Sequence, residues 1–543
     1  MNGADWLIRE LQRHGLPFLP VLCGNGLNPI LEAAKRAGLP LIDARNEQAV
    51  SYMADTYARL TGRLGACAVS TGIAHVNAMA GLLNAHFDGA PLLLITGSSP
   101  SDALGRGAFQ DVDQVELARP ICKRAELASR VDRLPQALAE ALHTATSGRP
   151  GPVHLTIPID VLEAEIDTPG AARWATRVSA DAPSPFCPPD RIRQTASLLA
   201  EARRPLIVAG SELFYAHAGD ALMRFARLAH IPIVTPIWDR GVVDRPCEVF
   251  MGVIGAASGE PDLLPQADLI LLAGARVDYR VRYLDAPPLC QDARIVRLTG
   301  DPVEMYQGVV PHLGLLADPR QCLQALADVW AGESYAPHDS WLGEAHDMCQ
   351  RFYARWVRPP ATNGTGWHLV EALRPLLDEK VIFLIDGGNI GQWVHMRLCQ
   401  DRYPSHWLTC GASAVVGWGV PGAMAARLAH PKRRVLLLSG DGSIGFGLVE
   451  FESAARQGIP FVAIVADDSA WGIVLSGQEK RIGEGIASEL GAVDYAQVAR
   501  ALGAYGVRLD NLADLPRAVQ DGWSRDKPTL IQVPIARGGP ADI

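Results

Sequence analysis

The sequence has no C-x-x-C pair, no uninterrupted apolar run of membrane-spanning length, and no basic N-terminal stretch leading into an apolar core. Each absence removes a class of protein. Ten cysteines scattered over 543 residues read as reduced, packing thiols of a cytoplasmic chain, and no chemistry is assigned to them. A spanning helix needs about 20 apolar residues in a row, so no membrane segment is expected, and Met1–Glu10 does not resemble a signal peptide. Positive charge is in deficit: 50 Lys and Arg stand against 59 Asp and Glu, a net charge of −9 with a pI near 5.9. That balance argues against nucleic acid as a general partner. No short internal repeat is visible. What remains is 48% apolar and 20% charged, an ordinary soluble globular composition with length for about three domains.

The stretch Val435–Trp471 organises the chain. Val435–Leu438 is a short apolar run bounded by Gly and reads as a buried strand. Gly440-Asp441-Gly442-Ser443 follows, then an amphipathic helix to about Gln457 carrying Leu448, Phe451, Ala454 and Ala455 at helical spacing. Gly458 stops that helix. Phe461–Val465 is a second buried strand, ending in Asp467-Asp468. Strand, turn, helix and strand make the unit of a parallel sheet, whose strands open on a common edge where ligands bind. Asp441 and Asp468 therefore reach that edge together, beside a helix N-terminus that favours phosphate.

Three readings compete for this stretch. Gly440, Gly442 and Gly445 match a dinucleotide fingerprint followed by an acid at the next strand end, which would make the chain a nicotinamide dehydrogenase. That leaves Asp441 facing a pyrophosphate anion. A Mg²⁺ ion held by one or two carboxylates plus diphosphate oxygens accounts for every residue. A plain Gly-rich turn with solvated acids is the bland third.

The same period of strands and helices runs through the chain. In residues 1–167, Phe18–Leu22, Ala66–Ser70, Leu92–Thr96 and Pro152–Ile157 read as strands, with amphipathic helices between them. A linker rich in Pro, Ala and Ser is expected over Thr168–Asp190. Residues 191–335 carry strands at Leu206–Ala209, Pro232–Thr235, Leu269–Ala273 and Ile295–Leu298. A connector, Ser334–Gly364, leads to a third unit, 360–535, with strands at Val381–Ile385, Val435–Leu438, Phe461–Val465 and Thr529–Val533. The expected class is α/β, with three doubly wound parallel-sheet domains.

Gly440-Asp441-Gly442 followed by Asp467-Asp468 resembles the motif of thiamine diphosphate-dependent enzymes: GDG, somewhat under thirty residues, then Asn-Asn or Asn-Asp. Asp467 stands where the family has Asn. The resemblance implies a pyrimidine-binding, a central and a diphosphate-binding domain in that order. It places Mg²⁺ on Asp441, on Asp467 or Asp468 (Asp468 by the motif) and on the backbone oxygen of Ala470. Gly440, Gly442, Ser443 and Trp471 would line the cofactor. Asp386-Gly387-Gly388-Asn389-Ile390-Gly391-Gln392 follows a strand and suits diphosphate contacts by Asn389 and Gln392. Gly411–Pro421 is similar to G-x-x-G-A-M-G-F-G-L-P. By that match the Ala414 carbonyl accepts from the 4′-amino group and Val416 is the apolar wedge under a bent cofactor, smaller than the usual Met, Leu or Ile.

In Arg45-Asn46-Glu47 the resemblance makes Glu47 the catalytic acid at N1′ of the aminopyrimidine. A carboxylic acid there favours the 4′-imino tautomer, whose nitrogen takes the C2 proton. Burial is expected to keep that carboxyl protonated near neutral pH. Thr71–Asn77 and Asn84–Pro91 look like segments that pack the pyrimidine-binding domain against its partner, and His75 and His86 within them are read as structural. Gly107-Ala108-Phe109-Gln110-Asp111 resembles a loop of acetolactate synthases and 2-hydroxyacyl-CoA lyases. There the Gln110 amide faces the reacting carbonyl and donates without titrating. Asp113-Gln114, Ala118-Arg119-Pro120 and Cys122-Lys123 resemble oxalyl-CoA decarboxylases too.

The resemblance covers nearly the whole chain and is most specific for the cofactor. It implies an acetolactate synthase-like enzyme that breaks and forms C–C bonds on a small 2-oxo acid or 2-hydroxy ketone. It also implies a homodimer or homotetramer whose active site lies at the subunit interface. A lyase of the 2-hydroxyacyl-CoA or benzaldehyde type, and a cofactor-binding protein without turnover, stay open. So does FAD or ADP in the central domain, where Gly274-Ala275-Arg276 follows a strand. The chain's end, Pro534–Ile543, is short and carries one Arg, which argues against a CoA substrate with its several phosphates. Arg276, Arg280 and Arg282 are the other candidate basic patch.

Overall fold

The computed structural model describes residues 1–175, 185–286, 289–290 and 292–542. Three six-stranded sheets, every strand parallel to its neighbours, follow one another along the chain. The first holds β1 (Leu19–Leu22), β2 (Leu41–Asp43), β3 (Gly65–Val69), β4 (Leu92–Ser98), β5 (Arg124–Leu127) and β6 (Pro152–Pro158), in the order β2-β1-β3-β4-β6-β5. The second holds β7 (Pro205–Ala209), β8 (Ile233–Pro236), β9 (Phe250–Ile254), β10 (Leu269–Ala273), β11 (Arg294–Thr299) and β12 (Leu313–Leu316), ordered β12-β11-β10-β7-β8-β9. The third holds β13 (Val381–Asp386), β14 (Trp407–Leu408), β15 (Arg434–Gly440), β16 (Val462–Asp467), β17 (Tyr505–Arg508) and β18 (Thr529–Pro534), ordered β14-β13-β15-β16-β18-β17. With helices between the strands, these are three α/β units of the expected class.

The third sheet is apolar on both faces, and the period of two along its strands divides it. Ile382 and Leu384 of β13, Val435 and Leu437 of β15 and Ala463 and Val465 of β16 share a core with Phe18, Met53, Val69 and Leu94 of the first unit. The alternate residues, Val381, Phe383 and Ile385, Leu436 and Leu438, and Val462 and Ile464, belong to a core continuous with the second unit. Successive side chains of a strand point to opposite faces, so these continuous apolar runs are what a sheet covered on both sides requires.

Two expected connectors are structured. Thr168–Asp190 was expected to be an open linker, but Thr168–Ala172 is a short helix and Pro189 opens the helix Pro189–Glu201; residues 176–184 lie outside the described residues. The Ser334–Gly364 connector contains the helix Asp339–Tyr353, which buries Trp341, Ala345 and Tyr353. The helix expected after Gly440 begins at Asp441 itself and is broken at Leu448–Val449 into Asp441–Gly447 and Glu450–Arg456. No described helix is long and apolar enough to cross a membrane.

Candidate active site

In the third sheet the first strand, β13, has β14 on one side and β15 on the other, so the strand order reverses between β13 and β15. A crevice forms outside the strand ends at such a point. Here it is a cavity of about 350 Å³. The helices Gly388–Leu398, Asp441–Gly447 and Gly472–Ile482 begin at its rim, and none has a side-chain cap on its N-terminus. Their first N–H groups are therefore available to an anion.

Asn389, Gln392, Ala414, Val416, Gly440, Asp441, Gly442, Ser443, Asp468, Ala470 and Trp471 all line this cavity. β15 and β16 run in register, Gly440 opposite Ala466, which brings Asp441 and Asp468 to hydrogen-bonding range of each other. Asp441 Oδ2 is buried and meets no donor. Burial, with Asp468 and Asp467 beside it, pushes the Asp441 carboxyl up to about 7, and burial raises Asp468 as well.

Asp467 is engaged elsewhere. Its Oδ2 accepts the Gln532 amide at 2.7 Å, and its Oδ1 accepts the Ser469 N–H and hydroxyl, both at 3.2 Å. Of the two neighbouring acids, Asp468 is the one that lines the cavity. Among the described residues no group of three or more His, Cys, Asp or Glu side chains is set to hold a metal. Two facing carboxylates, one with a buried oxygen that meets no donor, fit a Mg²⁺ ion whose remaining ligands are backbone, water and phosphate oxygens. They fit a plain solvated turn poorly.

Two glycines are explained by close approach. A Cβ on Gly442 would stand 2.7 Å from the Trp471 ring. One on Gly472 would stand 2.6 Å from Asp468 Oδ2 and 2.7 Å from Asn389 Nδ2. Asn389 Nδ2 is itself buried with no acceptor, a second orphan polar atom at the cavity. Gln392 is partly committed, since its side-chain oxygen accepts the Ser258 hydroxyl at 2.9 Å.

Ala414 and Val416 are presented by a segment tied down at both ends. On one side Arg59 donates to the Thr409 carbonyl at 2.7 Å and pairs with buried Asp88. Asp88 accepts the Ala412 N–H at 2.7 Å, and Asn84 accepts the Ser413 hydroxyl at 2.5 Å. On the other side Asp386, at the end of β13, accepts the N–H groups of Gly417 and Gly419 at 3.1 and 2.9 Å. Burial pushes the Asp386 carboxyl up to about 7 against those two bonds. Ala414 adopts a left-handed backbone, φ 55°, rare for a residue with a Cβ. The anchoring role of Asp386 was missed; an acid closing a strand just before Gly387-Gly388 was the available signal.

Glu47 and Gln110 are not among the cavity's lining residues. Glu47 opens the helix Glu47–Thr61, capped by Asn46. Its carboxylate accepts the Asn77 amide at 3.0 Å. Burial was expected for this carboxyl, but within one chain it is only half-buried. Gln110 is exposed, has φ 56°, and has its carbonyl against Gly72. His86 Nδ1–H donates to the Ile121 carbonyl at 2.8 Å. His75 is buried against the ring of His154, with centroids 4.6 Å apart. Burial drives the His75 pKa down to about 4, in keeping with a structural role.

The family described as thiamine pyrophosphate enzyme matches the chain in three parts. Its N-terminal TPP binding domain matches residues 1–117, its central domain 192–326, and its C-terminal TPP binding domain 386–533. The large subunit of acetolactate synthase isozyme 1 from Escherichia coli (strain K12) is 28% identical over 541 residues, covering 98% of this chain and 94% of that protein. Human 2-hydroxyacyl-CoA lyase 2 is 28% identical over 581 residues, covering 99% and 90%. A probable acetolactate synthase large subunit from Methanococcus aeolicus is 25% identical over 557 residues, covering 98% and 92%. With its three parallel sheets and its Gly440-Asp441-Gly442 turn at the crevice of the third, this chain belongs to the thiamine pyrophosphate enzymes and is a thiamine diphosphate-dependent enzyme.

Proposed function

We propose that the chain is a Mg²⁺-dependent carboligase of the acetolactate synthase type, acting on a small pyruvate-like 2-oxo acid. The observation that carries the cofactor site is the facing pair Asp441 and Asp468, with its orphan oxygen at the strand-order reversal. Asp441, Asp468 and the Ala470 backbone oxygen hold the metal. Asn389, Gln392, Ser443 and the uncapped helix starts receive the diphosphate. Ala414 would accept from the pyrimidine amino group, Val416 would offer the cofactor an apolar contact, and Trp471 walls the site over Gly442. When bound, thiamine diphosphate supplies a thiazolium ring that lets the bond beside a carbonyl be broken.

Glu47 acts on the cofactor of a second copy, holding a proton at N1′, and Gln110 donates its amide to the substrate oxygen. Two features support a site shared between copies. Neither residue lines the cavity of its own chain. The helix Ile73–Asp88, beside Glu47's partner Asn77, exposes an apolar stripe of Ile73, Val76, Leu83 and Phe87. A homodimer is the smallest active unit, and a homotetramer is compatible with it.

The CoA-free substrate rests on charge. Arg537, the one arginine of the tail, donates to the Asp468 and Ser469 carbonyls at 3.3 and 3.4 Å and pairs with Glu489 at 3.1 Å. Arg280 is paired with Asp239 and Asp278 at 2.6 and 2.7 Å, Arg282 with Glu260 at 2.7 Å, and Arg276 with Glu304 at 3.6 Å. Among the described residues, Arg537, Arg280 and Arg282 are thus committed to partners, while Arg276 shares Glu304 with Arg149 and Arg297. Incubating the loaded enzyme with pyruvate, longer 2-oxo acids, acyloins and 2-hydroxyacyl-CoA esters, with product masses read out, tests the assignment. Turnover of the CoA esters alone would establish a 2-hydroxyacyl-CoA lyase. Cleavage of acyloins alone would establish a lyase of the benzaldehyde type. No turnover with cofactor bound would leave a binding protein.

A further inference from the structure

Among the described residues that line the cavity, Trp238 is the one from the second unit; the others belong to the third unit and the tail that follows it. It follows β8 in the turn Pro236-Ile237-Trp238-Asp239, closed by the Asp239 N–H to the Pro236 carbonyl at 3.1 Å. Trp238 is the third residue of that turn and has φ 71°. A positive φ at this position is the geometry for which glycine or asparagine is ordinarily used. A bulky aromatic residue there is an outlier that persists only where its surroundings over-determine it.

The surroundings do so. Arg280 Nη1 donates to the Ile237 carbonyl at 2.9 Å and to Asp239 Oδ1 at 2.6 Å, gripping the turn on both sides of the tryptophan. Asp239 Oδ2 accepts the Ser211 N–H at 3.1 Å, and the Ser211 hydroxyl accepts the Arg240 N–H at 2.9 Å. The Ile237 N–H is held by the Ile254 carbonyl at 2.8 Å. Arg280 and Asp239 are both buried. The indole is only half-buried: it packs against the core that the second unit shares with the third and is not enclosed by it. It stands at the wall of a compartment that also includes Cys410, Val415, Val416, Ile473 and Ile535. Such apolar lining discriminates ligands by volume, at the level of single methylene groups, rather than by hydrogen bonding.

We propose that Trp238 is a specificity-determining residue: the strained turn drives its indole into the cavity to limit the donor to a short acyl side chain. This rests on the reading of the cavity as the site where cofactor and donor meet. Trp238→Gly and Trp238→Asn both suit the left-handed backbone, so the fold should be kept, with an unchanged or raised Tm. Each protein, loaded with thiamine diphosphate and Mg²⁺, is titrated by calorimetry with methyl acylphosphonates from acetyl to hexanoyl. These resemble 2-oxo acids and lose no carbon dioxide, so the readout is affinity and not turnover.

In the native protein the acetyl compound should bind at least tenfold more tightly than the hexanoyl one, and both variants should shift that ratio by tenfold or more toward the longer chain. An unchanged ratio in folded, cofactor-loaded variants overturns the proposal. Loss of cofactor binding in both variants overturns it too, since that is what a merely structural tryptophan predicts. If no acylphosphonate binds the native protein, the 2-oxo acid reading fails on its own. The same length ratio is then measured with acyloins of matched side chains, where the shift is still expected and its absence is equally decisive.

Discussion

Gln532 on β18 donates its side-chain amide to Asp467 on β16 at 2.7 Å, and that bond separates the roles of two adjacent carboxylates. Asp467 serves the join between strands, and Asp468 is left to the cavity with Asp441. Asp468→Ala should therefore weaken thiamine diphosphate binding in Mg²⁺ by tenfold or more. Asp467→Ala should weaken it less, as the loss of a supporting bond rather than of a ligand. Calorimetric titration of both variants checks the order, and the reverse order would move the ligand by one residue. Excess chelator, applied through a cycle of unfolding and refolding, should release the cofactor from the native protein.

Glu47→Gln should bind the cofactor within a few-fold of the native protein and slow its C2 hydrogen–deuterium exchange about a hundredfold or more, the range of a general acid–base contribution. An amide keeps the shape and the Asn77 contact but does not hold the proton at N1′. Exchange followed by proton NMR is the measurement, and a near-native rate would remove Glu47 from the chemistry.

Subunit mixing tests whether the site is shared. Glu47→Gln and Asp441→Asn should each be inactive alone. In a hybrid dimer one site collects both lesions and the other collects none. Random re-pairing of equal amounts should restore roughly a quarter of native activity, one intact site in half of the closed two-fold dimers. Failure to complement, with hybrid dimers demonstrated by native mass spectrometry, would mean that each chain builds its own site.

Asp386 predicts a dependence of stability on pH. Its carboxyl titrates near 7 in the folded chain instead of its ordinary 3.8, because burial outweighs the Gly417 and Gly419 bonds. Between those values the folded state binds more protons than the unfolded one, so this group's contribution falls as pH rises through the window. Asp386→Asn has no such slope. Its Tm relative to the native protein should rise between pH 5 and 8, by an amount equivalent to roughly 1–4 kcal/mol. A difference that stays flat across that range would mean that the carboxylate is ionised throughout.

The strands legible in the sequence are those with neighbours on both sides. Runs such as Leu269–Ala273 and Val462–Asp467 are fully or nearly fully buried and read as continuous apolar segments. The strands the pattern did not reveal, β5, β9, β12, β14 and β17, are all sheet edges. Arg124–Leu127 and Tyr505–Arg508 are half-exposed and carry charge, as edge strands do to avoid pairing with other chains. The cavity was legible for a related reason: its residues sit in short segments at the ends of buried strands, where turn chemistry constrains their types. Trp238 was not legible, because its place in the cavity depends on how two units dock. Asp386 was not singled out because its bonds run to backbone N–H groups some thirty residues away, which no local pattern records.

The core shared by the first and third units bears on how the chain comes to be folded in a cell. Phe18, Met53 and Leu94 complete their packing against Ile382, Leu384 and Leu437, which a ribosome delivers hundreds of residues later. At roughly 5–20 residues per second, the N-terminal unit waits on the order of 15–60 s for the surface that covers it. During that interval it presents an apolar face that the finished molecule hides. Chaperone capture should concentrate on nascent chains that have emerged past β6 but not yet past β13, and a truncated N-terminal unit expressed alone should aggregate although its sheet is complete.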